Sequence, residues 1–173
     1  ALETSDEESL RESVQKSVER YPERQGILAL NKGDELDADW DAPLRVIVNA
    51  TRARLQRMGF GAPWVMPIMA RTAMVARLQM RRQPISSRQK MELENLAPSL
   101  PELGRVLFES SHMPQVEANR LVPEINSLQH AASLGGWASS NSSLVLPTYA
   151  AIASGVRALE GVLEHCLRAS RKP

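Results

Sequence analysis

The residues of this chain that could bind a metal ion are three histidines and one cysteine. His112, His130 and His165 lie far apart in the sequence, and Cys166 directly follows His165. Adjacent residues of a helix point about 100° apart, so a helical His165–Cys166 pair does not converge on one ion. Zinc sites need clustered ligands at characteristic spacings. We therefore expect no metal and no other cofactor, and we interpret the histidines as structural or exposed.

Three aspartates, Asp37, Asp39 and Asp41, alternate as the oxygen ligands of a calcium loop do. The glycine that such a loop requires is replaced by Ala42, and Val48 stands where the loop needs its last glutamate. The acidic run is better explained as a loop before a helix that Asp41 caps. Nucleophile elbows, phosphate-binding loops and dinucleotide fingerprints do not occur in the sequence. An enzyme is therefore not the preferred interpretation.

Charge is unevenly distributed along the chain. Residues 1–42 contain 12 acidic and 5 basic residues, residues 43–91 contain 10 basic residues and no acid, and residues 92–173 contain 8 acidic and 6 basic residues. The basic segment cannot neutralise itself through pairs one helical turn apart. Of the 21 basic residues of the chain, 17 are arginine, which binds carboxylates and phosphates in a bidentate manner. Either the acidic N-terminal segment covers the basic helices, or these helices contact an anionic partner.

Partner-binding residues are predicted from the basic segment and from one loop. Four arginines of one predicted helix, at positions 71, 77, 81 and 82, have no acid within that helix, so we expect that they are not all paired within one folded subunit and that at least two of them lie at the surface. Trp137 lies between a glycine pair and a serine run, where it either fills the core or anchors a partner. The methionines between positions 58 and 80 suit both a core and an adaptable binding surface. The predicted partner-binding residues are Arg54, Arg57, Arg71, Arg77, Arg81, Arg82 and Trp137.

Hydrophobic periodicity predicts the helices that must position these residues. A capping box at Ser5 and Glu8 begins the first helix, which has a narrow apolar stripe. A short helical turn and the acidic loop follow in residues 23–40, and only residues 143–146 resemble a strand. Further helices are predicted at Asp41–Met58, Pro63–Arg82, Ser87–Leu96, Pro101–Ser110, Pro114–Leu134 and Pro147–Ser170.

Some of these helices carry more detailed expectations. The helix that begins at Pro63 is apolar on two faces, which indicates a central position or a shared interface. Ser99 is expected to cap the helix that follows it, and Pro123 to break or kink its own helix. In the last helix the residues predicted to face the core are Ile152, Val156, Leu159 and Leu163. Its small residues lie on another face and let a neighbour approach closely; they are Ala150, Gly155, Ala158 and Gly161.

The predicted fold is all-α, a single-domain orthogonal bundle of six or seven helices over residues 1–173. This domain comprises the acidic segment 1–42, a basic helical pair in 43–91 and C-terminal helices in 92–173. A chain of 173 residues, 43% of them hydrophobic, can build its own core. Cys166 alone excludes an internal disulfide framework, and no run is long enough to span a bilayer. We expect a soluble protein compatible with a reducing compartment, the cytoplasm or delivery into it, and the initial Ala1 is compatible with a longer parent chain.

Three functions stay open at this stage. We prefer a non-enzymatic helical interaction domain that binds a protein partner or a second copy through its basic, Met-rich helices and the Trp137 loop. Sequence-independent binding of RNA or DNA, as by a coat protein or nucleoprotein, is the first alternative. A membrane surface is not expected, because the arginines are spread around their helices.

The second alternative is a GTPase regulator that uses Arg45. Two short segments of the sequence resemble motifs of the bacterial secreted Rho GTPase-activating domains. They are Leu44-Arg45 and, later in the chain, Gly135-Gly136-Trp137-Ala138-Ser139. Those helical domains carry a Leu-Arg finger and a Gly-Gly-x-Ala-Ser loop. The separation between the two motifs is too long here, and Asn49 stands where a threonine is expected. The chain is therefore not assigned to that family.

Overall fold

The computed structural model describes residues 12–13, 15–16, 19–20, 26–31, 41–133 and 145–169. These residues form a mostly helical bundle, which confirms the predicted fold class. In chain order its elements are β1 (Ile27–Leu30), α1 (Asp41–Arg57), β2 (Trp64–Pro67), α2 (Ala70–Met80), α3 (Ser87–Leu96), a 3-10 turn (Ala97–Ser99), α4 (Leu100–Ser110), α5 (Gln115–Ser133), α6 (Val145–Ala153) and α7 (Val156–Ala169). The predictions for Ser5, Glu8, the acidic loop before residue 41 and Trp137 lie outside the described residues.

A short parallel sheet is the main departure from the predicted elements. Strands β1 and β2 pair in parallel, with Ile27 opposite Trp64 and Leu30 opposite Pro67. Two predictions are therefore wrong. Residues 27–30 form β1 and not a helical turn or loop, and residues 64–67 form β2 and not the start of a helix. Pro67 supplies the physical reason, because a proline pushes the residue before it out of the helical region. Helix α2 begins only at Ala70, whose backbone N–H donates to the side-chain oxygen of Asn31 at 3.0 Å.

The core lies around β2 and between α2 and α6. Val65, Met66 and Met69 are fully buried, and α1 and α4 both pack against β2. Helices α2 and α6 approach each other closely because both bury alanines at their contact, Ala73 and Ala76 on one helix and Ala150, Ala151 and Ala153 on the other. This packing fixes the start of α2, where the N–H of Met69 donates to the carbonyl of Ser154 at 2.8 Å.

The C-terminal segment forms two helices where one was predicted. Helix α6 ends at Ala153 and α7 begins at Val156, with Gly155 between them at a φ of 72°. A side chain at Gly155 would place its Cβ 2.8 Å from the carbonyl oxygen of Pro67. Both the left-handed backbone and this close approach therefore require glycine.

Helix α7 also buries the opposite face from the one predicted. Leu163 is 45% exposed, and its predicted core neighbours on the same stripe are only half-buried. The buried positions of α7 are Ala158, Gly161 and Val162. An added Cβ at Gly161 would collide with the side chains of Glu117 and Arg120 on α5. The small residues allow the two helices to approach, so the larger side chains are left on the outside.

Smaller differences concern helix ends. Ser86 and Gln89 form a capping box at the start of α3, which begins and ends where predicted. Ser99 makes no side-chain capping bond to α4, so that prediction is wrong. Helix α5 continues through Pro123 as one element rather than breaking there, and the hydroxyl of Ser127 donates to the Pro123 carbonyl at 2.8 Å.

Candidate partner-binding groove

An open groove lies between α2 and α7. Its volume is ≈ 430 Å³. Its apolar lining comes from both helices and from the residues just before α2. Arg77 of α2 and Arg81, which directly follows α2, also lie along it. The lining of the groove includes Ile68, Met74, Leu78, Val156, Leu159, Arg77 and Arg81. The sequence had assigned Val156 and Leu159 to the core, so the groove combines predicted basic residues with apolar residues whose exposure was not foreseen.

The apolar wall of the groove continues along α7 onto the surface. Val156, Leu159, Leu163 and Leu167 follow at spacings of three, four and four residues, which places them on one side of a helix. Leu167 is 60% exposed, more than Leu163. Across the groove, Met74 of α2 is 49% exposed. A continuous stripe of large apolar side chains is therefore left without a helix packed on it among the described residues.

Arg77 bridges the two helices of the groove. Its guanidinium donates to the carboxylate of Glu160 on α7 at 2.7 Å. Arg71, on the same helix, pairs with Glu92 of α3 at 2.8 Å. Both pairs are largely exposed, and such pairs contribute about 0–1 kcal/mol each. The acids come from distant parts of the sequence rather than from the acidic N-terminal segment.

Arg81 and Arg82 form no ion pair with any carboxylate of the described residues, whereas Arg71 and Arg77 do. Arg81 lines the groove, and Arg82 follows it at the end of α2. Both side chains are exposed. The far end of the groove therefore carries positive charge that the described part of the chain does not neutralise.

Arg82 has a left-handed backbone, with a φ of 56°. It closes α2 in a Schellman motif, in which the N–H of Arg82 donates to the Gln79 carbonyl at 2.9 Å and that of Gln83 to the Leu78 carbonyl at 2.8 Å. Glycine is the usual residue at this position, because a side chain there costs conformational energy. A strained arginine at the end of a groove is an observation that favours a role in binding.

Other cations of the basic segment contact acids in residues 92–173. Arg88 pairs with Glu92 at 2.9 Å, Lys90 with Glu94 at 3.8 Å, and Arg45 with Glu109 at 3.8 Å. Part of the basic segment is therefore balanced within the subunit.

The remaining predicted binding residues lie apart from the groove. Arg54 and Arg57 are on α1 and do not line it. Both are exposed, and the Nε of Arg57 donates to the Ala53 carbonyl of its own helix at 3.5 Å. Trp137 lies outside the described residues. Of the predicted binding residues, the structure places Arg77 and Arg81 in the lining of the groove.

A second polar cluster joins α1 to the loop after α4. The side chain of Arg52 donates to Nδ1 of His112 at 3.3 Å, and Nε2 of His112 lies 2.8 Å from the side-chain oxygen of Asn49. Burial, and secondarily the charge of Arg52, lower the pKa of His112. A neutral imidazole with its proton on Nε2 fits both bonds. Sequence patterns could not reveal this cluster, because His112 lies about 60 residues from its two partners.

Two further groups that could carry chemistry, the Cys166 thiol and the His165 ring, lie on α7. Burial raises the pKa of the Cys166 thiol, which disfavours the reactive thiolate. The ring of His165 stands edge-on to that of Trp64, with centroids 6.0 Å apart. Within the described ranges, no three His, Cys, Asp or Glu side chains come together as metal ligands would.

No family model matches the chain, and searches of curated proteins and of solved structures returned no match. Among the described residues, the helices are too short or too polar to cross a bilayer. The groove and its charges are therefore the observations on which a function can be argued.

Proposed function

We propose that the chain is a non-enzymatic helical interaction domain, and that its binding site is the groove between α2 and α7. The occupant is an amphipathic helix of a partner protein. One observation carries the proposal: α7 packs through its small residues and presents its large apolar residues, together with those of α2, along an open groove. Helix-in-groove binding is a common way to cover such a surface.

The length of the apolar stripe indicates the size of the partner element. From Val156 to Leu167 the stripe spans about three turns of helix, or roughly 17 Å at 1.5 Å per residue. A partner helix of similar length, with apolar residues at spacings of three and four, would cover it. Met74 suits such a site, because its flexible side chain adapts to the shape of the helix that binds.

The arginines give this surface a preference for acidic partners. Arg81 is exposed at the groove and Arg82 adjoins it, and neither forms an ion pair with a carboxylate of the described residues. Guanidinium groups at the rim of an apolar site attract carboxylates, which speeds association and favours partners of opposite charge. The apolar stripe supplies the affinity, and the arginines supply the selectivity.

Nucleic-acid binding has weaker support. Several cations of the basic segment are paired with Glu92, Glu94, Glu109 and Glu160. A phosphate backbone would leave the apolar stripe of α7 uncovered, since such binding rests on cations. A GTPase regulator based on Arg45 has no observation in its favour beyond the exposure of that residue.

The test compares two charged substitutions at similarly exposed valine and leucine positions. The full chain is tagged and recovered from cells of its source, as wild type, as Leu163→Glu on α7, and as Val122→Glu on α5, and the co-purified proteins are quantified. Val122 is 40% exposed and lies away from the groove, so it is the matched control. We expect partner proteins that are retained by Val122→Glu and lost by Leu163→Glu, with both variants folded by circular dichroism. A set of proteins unchanged by Leu163→Glu would exclude the exposed apolar stripe of α7 as part of the binding site.

A further inference from the structure

The groove has two different ends. At one end α2 and α7 begin together: Met69, just before α2, bonds to Ser154, and Gly155, just before α7, contacts Ile68. Arg77 then reaches Glu160 further along both helices. The two helices therefore run away from a common closed end, and the open end lies where α2 finishes, at Arg81.

Unpaired positive charge lies just beyond the last turn of α2. Arg71 in the first turn of this helix and Arg77 in its last turn are neutralised by Glu92 and Glu160, whereas, among the described residues, Arg81 and Arg82 are not. At the open end, the described residues offer no carboxylate to Arg81 or Arg82 within ion-pair distance. The carbonyl groups that finish α2 add a partial negative charge there, which attracts the positive N-terminal end of another helix.

We propose that the partner helix binds antiparallel to α2, with acidic residues of its first turn against Arg81 and Arg82. This inference rests on the proposed function and adds the orientation and charge pattern of the occupant. Acidic side chains are favourable in the first turn of a helix, because they complement the helix dipole. In the antiparallel orientation this first turn lies at the open end of the groove. Its carboxylates then bind the arginines, while its dipole complements that of α2.

The left-handed conformation of Arg82 supports this orientation. An arginine rather than glycine ends α2, so the chain keeps a second cation beside Arg81 at a conformational cost. Two successive arginines provide two guanidinium groups for the carboxylates in the first turn of a partner helix.

Two synthetic peptides of equal length and composition test the proposal on the full chain. Both carry the same leucine stripe at helical spacing and a hydrocarbon staple that equalises their helicity. One has its glutamates in the first turn and the other has them in the last turn. Binding is measured by fluorescence anisotropy against wild type, Arg81→Glu and Leu159→Glu. Arg57→Glu, on α1, is the charge-matched control.

We expect the first-turn peptide to bind about tenfold more tightly than the last-turn peptide, as a difference of one charge-assisted contact implies. Arg81→Glu should abolish this preference, and Arg57→Glu should preserve it. If both peptides bind the wild type equally and neither binds Leu159→Glu, the proposed orientation of the partner helix is wrong and the groove remains the binding site. Failure of both peptides to bind, or binding unaffected by Leu159→Glu, would contradict the groove itself. A dimer in light scattering that dissociates in Leu163→Glu would show a second copy as the occupant and overturn the proposal.

Discussion

Replacing Arg82 with glycine should make the protein more stable than replacing it with alanine. Both substitutions remove the same charge and the same side chain beyond Cβ, so their difference isolates the backbone. The φ of Arg82 is 56°, a conformation that glycine adopts freely and alanine does not. The strain of an L-residue in this region is about 1–2 kcal/mol. The larger conformational entropy of glycine stabilises the unfolded chain and offsets roughly 0.5–1 kcal/mol of this strain.

The net difference therefore lies between about 0 and 1.5 kcal/mol in favour of glycine, with a midpoint of roughly 0.75 kcal/mol. For a domain of this size, 1 kcal/mol shifts the melting temperature by about 2–4 °C, so we expect Arg82→Gly to melt roughly 1–4 °C above Arg82→Ala. Thermal unfolding followed by circular dichroism measures this directly. Equal melting temperatures, or a higher one for Arg82→Ala, would show that residue 82 is not held in the left-handed region and would remove the argument from strain.

Three further predictions concern the folded chain. Gly155→Ala should destabilise the protein by about 1–3 kcal/mol, because the φ of 72° and the nearby carbonyl oxygen leave no place for a Cβ. An unchanged melting temperature would contradict this conformation of Gly155 between α6 and α7. Leu107→Ala, at a side chain 1% exposed, should cost about 2–5 kcal/mol in urea unfolding, whereas Leu163→Ala, on the exposed stripe of α7, should cost less than about 1 kcal/mol. Similar costs would mean that α7 buries the face predicted from the sequence. The pKa of His112 lies below its ordinary 6.5, so the unfolded chain binds the proton more readily than the folded chain. The free energy of unfolding should therefore fall as the pH falls below 6.5. The free energy of unfolding of His112→Gln should depend less on pH in this range, and identical pH dependence of the two proteins would refute the lowered pKa of His112.

The helices with local signals could be predicted from the sequence. Helix α3 has the bounds that were expected, because its capping box and the proline before it lie within a few residues of each other. The parallel strands could not be predicted in the same way, since Ile27 finds its partner Trp64 far along the chain. The signal that was missed is local: Pro67 disfavours a helix over the residues that precede it.

The candidate site could be predicted only in part. An excess of arginine in α2 was evident from the sequence, but its partners were not, because Glu92 and Glu160 lie 21 and 83 residues from the arginines that they bind. The exposed stripe of α7 was assigned to the core, since large apolar side chains usually face inward. The alternative face of α7, with Ala158 and Gly161, packs more closely against α5. Periodicity finds both faces of such a helix and cannot decide between them.

The claim that the groove binds a partner is tested most directly by photocrosslinking at Met74. A benzoylphenylalanine is introduced at Met74 in the full chain, and in a second protein at Val122, which has a similar exposure on α5. Irradiation in cells of the source should join the first protein to a discrete partner, and addition of Arg81→Glu should weaken that adduct. Crosslinks of equal yield and identity from Met74 and Val122, or none from Met74, would contradict the account.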